Sequence, residues 1–187
     1  MFFRKMLFFV SILCVSTPSA AGMFVQAGLH AGGDTLATVD FFNADDQSIK
    51  AGGLVSGSVG YEADLSDAIL MKLSAGVKFD TIDATNAEVD FIRYPLNGMI
   101  FFKTKNLHLG AGITQHLGVK LSVDGEFGSD NVTFKDATGF VLQMDYLLNE
   151  RGYLSLVLTS IDYELKGTNE SVDGNSIGVV IGYRFGK

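Results

Sequence analysis

Hydrophobic residues recur at every second position through segment after segment of this chain, a period that fits a pleated strand with one greasy face and does not fit a helix. Between residues 69 and 80, Ile69, Met71, Leu73, Ala75, Val77 and Phe79 alternate with Lys72, Ser74, Gly76, Lys78 and Asp80. Near the C-terminus Ile177, Val179, Ile181, Tyr183 and Phe185 alternate with Ser176, Gly178, Val180, Gly182 and Arg184. The same split runs from Leu107 to Leu121, with Gln115 the one misfit, and through Phe140, Leu142, Met144, Tyr146 and Leu148. Joining such runs predicts eight strands: Met23 to Phe42, Ser48 to Tyr61, Ala68 to Asp80, Glu88 to Phe102, Leu107 to Leu121, Ala137 to Leu148, Tyr153 to Leu165 and Asn175 to Phe185. Pro95 and Asn97 interrupt the fourth, and the seventh is expected to change phase, through a bulge, near Thr159 and Ser160.

Each segment reaches the roughly 9 to 11 residues that a tilted strand needs to cross a bilayer. Connections alternate between short (Glu62 to Asp67, Lys103 to Asn106, Asn149 to Gly152) and longer (Ser122 to Asp136, Lys166 to Gly174). That asymmetry suits a barrel with periplasmic turns at one end and external loops at the other. Alternation alone leaves open whether the apolar face meets lipid or the core of a soluble barrel. Glycines favour lipid: Gly28, Gly32, Gly52, Gly60, Gly76, Gly110, Gly112, Gly118, Gly139, Gly178 and Gly182 share the polar face. They weaken a water-exposed strand but make room inside a narrow barrel. Aromatics are expected to form two girdles on the outer face, Tyr61, Phe102, Tyr146, Tyr153, Tyr183 and Phe185 at one end and Phe41, Phe79, Phe91 and Tyr163 at the other.

The first residues differ from all this. Arg4 and Lys5 precede an apolar stretch from Met6 to Val15, and Ser19-Ala20-Ala21 closes it, the layout of a secretory signal peptide cut before Gly22. The expected organisation is a signal peptide over residues 1–21 and a barrel over 22–187. Cys14, the one cysteine, lies in the leader, so the exported chain closes without a disulfide. The chain carries 14 basic against 21 acidic residues, two of the basic ones in the leader, which argues against nucleic acid as a partner.

The last strand then carries a resemblance. A polar residue, a glycine two later, and apolar or aromatic residues beyond, here Ser176, Gly178, Ile181, Tyr183 and Phe185, resemble the assembly signal of bacterial outer-membrane barrels, although Gly186 and Lys187 follow the terminal aromatic. The whole exported length resembles the small outer-membrane β-barrel superfamily of OmpA-like, OmpX-like and OmpW-like domains. Arg93-Tyr94-Pro95-Leu96 and Leu109-Gly110-Ala111-Gly112 resemble uncharacterised members of that group. The resemblance implies an all-β, eight-stranded antiparallel up-and-down transmembrane barrel in the cell outer membrane, a monomer. Its implied partners are outer-membrane lipid, lipopolysaccharide and the barrel-assembly machinery.

Polar residues on the inward face are expected to form a buried network: His30, Asp34, Lys72, Lys78, Asp90, Arg93, His108, His116, Lys120, Asp145 and Arg184. Lys50 is expected on the same face. Unlike charges should pair across strands, Arg93 among them. No catalytic, cofactor or metal site is expected. His30 and Asp34 stand about 13 Å apart on one strand at roughly 3.3 Å per residue, too far to share a metal. The His-x-Ser element of lipid A deacylase barrels is missing, since each histidine is followed by other residues. Asp45-Asp46, Asp124 with Glu126 and Asp130, and Glu170 with Asp173 make the loops acidic without an EF-hand pattern. The expected role is non-enzymatic, structural or surface-binding. The alternative is an OmpW-like conduit for small apolar molecules with a lateral exit near Pro95 or Thr159, followed by a lipid A-modifying enzyme.

Overall fold

A computed structural model describes residues 21–39, 47–84, 87–125, 128–168 and 170–186. Residues 1–20 of the expected leader, Phe41, Asp45, Asp46 and Glu126 lie outside the described residues, and Ala21, the leader's expected last residue, opens the first strand. Thirteen strands follow in order: β1 (Ala21–Ala31), β2 (Thr35–Val39), β3 (Gln47–Lys50), β4 (Val55–Asp64), β5 (Ile69–Ala84), β6 (Ala87–Lys103), β7 (Leu107–Gly125), β8 (Gly128–Thr133), β9 (Ala137–Leu147), β10 (Gly152–Ser160), β11 (Asp162–Glu164), β12 (Ser171–Asp173) and β13 (Ser176–Phe185). Eight of them form a ring in which each neighbours the next, β1-β4-β5-β6-β7-β9-β10-β13, and β13 pairs back onto β1. Every pairing is antiparallel, so the fold is an up-and-down barrel without an open edge. Short turns join β4 to β5, β6 to β7 and β9 to β10 at the end that also holds the start of β1 and the end of β13, called here the terminal end. The hairpins β2–β3 and β11–β12, and β8 folded back on β7, extend the opposite, long-loop end.

The alternation read from the sequence becomes the wall of the barrel. Along β13 the burial runs strictly in and out, with Ser176, Gly178, Val180, Gly182 and Arg184 buried and Ile177, Val179, Ile181, Tyr183 and Phe185 exposed. Exposed apolar side chains surround the ring on every barrel strand, among them Leu29, Val59, Leu73, Ile100, Ile113, Phe140 and Leu158. Such a belt is tolerable where the surrounding medium is hydrocarbon.

The long first strand predicted from Met23 to Phe42 ends at Ala31, because Gly32 and Gly33 adopt φ of 124° and 79°, which turns the chain before β2. In β7 the phase flips at Gly118 (φ 60°): Tyr94 faces Leu117 while Ile92 faces Lys120, a one-residue β-bulge. Beyond it Val119 and Leu121 point inward, the reverse of the sequence expectation. The bulge expected near Thr159 is not there. Thr159 pairs with Ser176 and Asp162 with Asp173 in one continuous register, and the inward positions simply turn apolar at Ile161 and Tyr163. Pro95 does not interrupt β6. It pairs with His116 on β7, but towards β5 the ladder skips from Leu96–Ala75 to Arg93–Lys78, since proline offers no N–H there.

The two-girdle expectation is half right. Tyr61, Phe102, Tyr146, Tyr183 and Phe185 are exposed at the terminal end, and Phe79 is on the outer face towards the other. Tyr153, Phe91 and Tyr163 instead point inward, each 0% exposed. Near the long-loop end Phe91 and Tyr163 join Ile49, Ile82, Val89, Val119, Leu121, Phe134 and Ile161 in an apolar core that closes the barrel.

Candidate functional site: the barrel lumen

The lumen is filled in three tiers. At the terminal end Lys72 Nζ donates to Asp145 Oδ2 at 2.6 Å and lies 3.9 Å from Glu62 Oε2, while Arg184 Nε lies 3.2 Å from the same Glu62 oxygen. Asp145 Oδ1 accepts from Ser155 Oγ at 2.6 Å and from Gln143 Nε2 at 2.7 Å. The Lys72 ammonium stands 4.3, 4.7 and 5.2 Å from the ring centres of Tyr153, Phe101 and Phe24, and the Arg184 guanidinium 4.8 Å from Tyr153. Two cations and two carboxylates cancel inside an aromatic cage, the condition under which buried charge is tolerated. Glycines make the cage possible. A Cβ at Gly60, Gly110 or Gly182 would run into the ring of Phe24, Phe101 or Tyr153 respectively. The inward glycines thus make room for aromatic rings more than for the long polar side chains expected there.

Next comes a cavity of about 60 Å³ bordered by His30, Ser56, Ser58, Lys78, Thr114 and His116 among others. His30 Nε2 and Ser56 Oγ are 2.8 Å apart, and Lys78 Nζ donates to Ser176 Oγ at 3.1 Å. Above it, Arg93 donates through Nη2 to the Gly53 carbonyl, and its guanidinium carbon stacks 4.4 Å from the Phe91 ring centre. His116 Nδ1 is 2.6 Å from the Tyr163 hydroxyl, and Phe91, Phe134 and Tyr163 contact one another edge to face. This tier passes into the apolar plug.

Of the residues expected in the network, His30, Lys72, Lys78, Arg93, His108, His116, Asp145 and Arg184 are buried in the lumen. Three others are elsewhere. Asp34 is exposed at the rim, where its backbone and carboxylate bind the Asp173 backbone and so tie the first long loop to the last. Lys120 is turned to the outer face by the bulge at Gly118, opposite Ile92. Asp90 shares that outer face with Ile92 and Tyr94, because β6 runs unbroken through Pro95 and keeps the buried Phe91 and Arg93 on the other side. Lys50 is exposed on β3.

Arg93 has no carboxylate within ion-pair distance among the described residues, so its expected cross-strand pairing is replaced by the Gly53 carbonyl and a ring. Glu62, Tyr153 and Ser155 complete the ion cluster and were missed: Tyr153 and Ser155 follow from parity at odd positions on β10, whereas Glu62 was expected in the turn from Glu62 to Asp67 and is inward because β4 runs on to Asp64. Ser176 and Gly178 of the terminal motif face inward, under Lys78 and His30, while Ile181, Tyr183 and Phe185 face outward.

The His30–Ser56 pair is the nearest approach to hydrolase chemistry in the lumen. Its histidine Nδ1 is buried without a partner among the described residues, so none of their carboxylates orients the ring as a catalytic triad requires. Ser155 is bound to Asp145 and not to a histidine. Among the described residues no group of three or more His, Cys, Asp or Glu side chains is placed to hold a metal ion.

A family model described as "Outer membrane protein beta-barrel domain" matches residues 7–185. Among solved structures, the chain is similar to Neisserial surface protein A (TM-score 0.58, 8% identity, covering 91% of this chain and 100% of that one). It is also similar to Ail, the attachment invasion locus protein of Yersinia pestis (TM-score 0.54, 10% identity, covering 90% of this chain and 100% of that one). At such identities the likeness shows the fold alone. No curated protein matches the sequence.

Proposed function

The chain belongs to the outer membrane protein β-barrel family and resides in the cell outer membrane, and from that premise we propose that it is a non-enzymatic anchor with an envelope-structural or surface-binding role. The observation that carries this reading is the filled lumen, with a neutral ion cluster at the terminal end and an apolar plug at the other. An eight-stranded barrel has room for little beyond its own side chains, and here they occupy all but a cavity of about 60 Å³. What remains to act outside is the long-loop end, a small platform of hairpins bound to one another by Asp34 and Asp173 and by the Lys135–Glu164 ion pair at 2.5 Å. Two proteins of similar structure are a surface protein and an attachment invasion locus protein, which supports such a role. Outer-membrane lipid and lipopolysaccharide are its partners in this reading, with delivery by the barrel-assembly machinery through the terminal motif.

The test is conductance. Purified protein in planar bilayers should pass little steady current, and large, stable, porin-like currents from the wild-type monomer would overturn the plugged anchor. A second reading, a conduit for small apolar molecules, is favoured by the ladder gap opposite Pro95, which borders the central cavity. Uptake of an apolar solute that depends on this protein and falls in Pro95→Val would favour that reading.

A further inference from the structure

We propose that the central cavity of the lumen binds one small monovalent inorganic anion, of halide size, against Lys78. Lys78 on β5 and Arg93 on β6 are direct cross-strand partners, both inward, with 4% and 0% of their surfaces exposed. Like charges directly opposite one another in an antiparallel pair repel. At the terminal end the same barrel balances Lys72 and Arg184 with Glu62 and Asp145. Among the described residues the one carboxylate on the inner face around Lys78 and Arg93 is Asp80, two residues along β5, and it is engaged by the backbone N–H of Lys50 at 3.4 Å. With all three ionised, as a bound anion would favour, one positive charge is left over in a water-poor interior.

Hydrogen-bonding capacity points the same way. The cavity is bordered by Lys78, His30, His116, Thr114 and Ser58. Lys78 Nζ uses one of its three donors on Ser176, while His30 Nδ1, Thr114 Oγ1 and Ser58 Oγ are buried with no partner among the described residues. Just above, Arg93 Nε and Nη1 are equally unpartnered. A group of idle donors beside an excess positive charge is satisfied by an acceptor that carries one negative charge. The opposite wall, Gln143 and Lys72, is committed to Asp145 and leaves no carboxylate to compete. The cavity of about 60 Å³ has room for about four to six waters at about 10 to 15 Å³ each, so a halide with one or two waters fits. The site does not depend on what the external platform does.

Bromide is the probe, applied to the full folded chain in detergent. Crystals soaked in bromide should show an anomalous peak in the cavity beside Lys78 Nζ. Urea titrations should show a saturable stabilisation by bromide relative to gluconate, which is too large to enter, at equal ionic strength. At bromide about ten times its half-saturation concentration the folded-to-unfolded ratio should rise about tenfold. Lys78→Met should abolish this dependence. Thr114→Val, which keeps the charge and removes one donor, should raise the half-saturation concentration several-fold, so the proposal stays testable should Lys78→Met not fold. Bromide peaks confined to the protein surface would mean an adventitious ion only. That result, an absence of bromide-specific stabilisation, or a full response retained in Lys78→Met would each overturn the proposal.

Discussion

Leu73 and Ser74 are adjacent on β5, yet one is 51% exposed on the lipid belt and the other faces the lumen, where Asn97 Nδ2 donates to its hydroxyl at 3.1 Å. Leu73→Arg should therefore destabilise the barrel by about 2 to 4 kcal/mol if the site lies near the bilayer midplane, whereas Ser74→Arg meets polar surroundings and acts through crowding. Folding titrations in lipid vesicles measure both, and a neutral Leu73→Arg contradicts the assignment of faces. Asp145 offers a second test. Asp145→Ala leaves Lys72 only the more distant Glu62 carboxylate at 3.9 Å and weakens the hold on Arg184, and removing one partner of a buried pair costs about 3 to 5 kcal/mol. Lys72→Met combined with Asp145→Leu leaves no stranded charge at that pair and should cost less than Asp145→Ala alone. The inward direction of Lys72, Asp145 and Arg184 was legible from parity. Their partner Glu62 was not, because it lies past the expected end of its strand at Tyr61 and the ladder carries β4 on to Asp64; nor does anything local in a sequence say which inward carboxylate meets which cation. The outward turn of Lys120 was hidden, because a bulge glycine looks like any other glycine on the lumenal side of an alternating run.

Among the strands, β7 carries that irregularity at Gly118, with φ of 60° and an amide donating to Asp136 Oδ1 at 3.1 Å. A Cβ there would also stand 3.2 Å from the Tyr94 ring. Gly118→Val should lower stability by about 1 to 2 kcal/mol, and Gly118→Asn by less, since asparagine tolerates the left-handed region better. Urea midpoints with unchanged slopes would check this. The existence and neighbour order of the eight barrel strands were legible because lipid and lumen impose opposite chemistry on alternate residues, whereas the first two were predicted too long towards the loops, where β2 and β3 form a separate hairpin. The upper lumen was not, because there the inner face is apolar too. Phe91 and Tyr163 pack inside, where a two-solvent reading puts them in an outer girdle. The same change of chemistry at Ile161 imitates a register slip that the backbone does not make.

At the scale of the whole molecule, closure makes the barrel resistant to partial opening, since no strand can peel from an edge. The folded protein should stay compact in mild detergent without heating and migrate differently after boiling, and identical migration before and after heat would contradict a closed ring. Closure also governs the order of events in the chain's life. Met23 is paired with Phe185, so the first barrel strand to be synthesised waits for the last as its neighbour. No N-terminal portion can complete itself while the rest is being made. During its passage through the envelope the chain is consequently a set of unsatisfied, aggregation-prone strands that must be kept apart. A version ending before Ser176 exposes the open sides of both β1 and β10, and should accumulate as aggregates or be degraded instead of giving a smaller barrel.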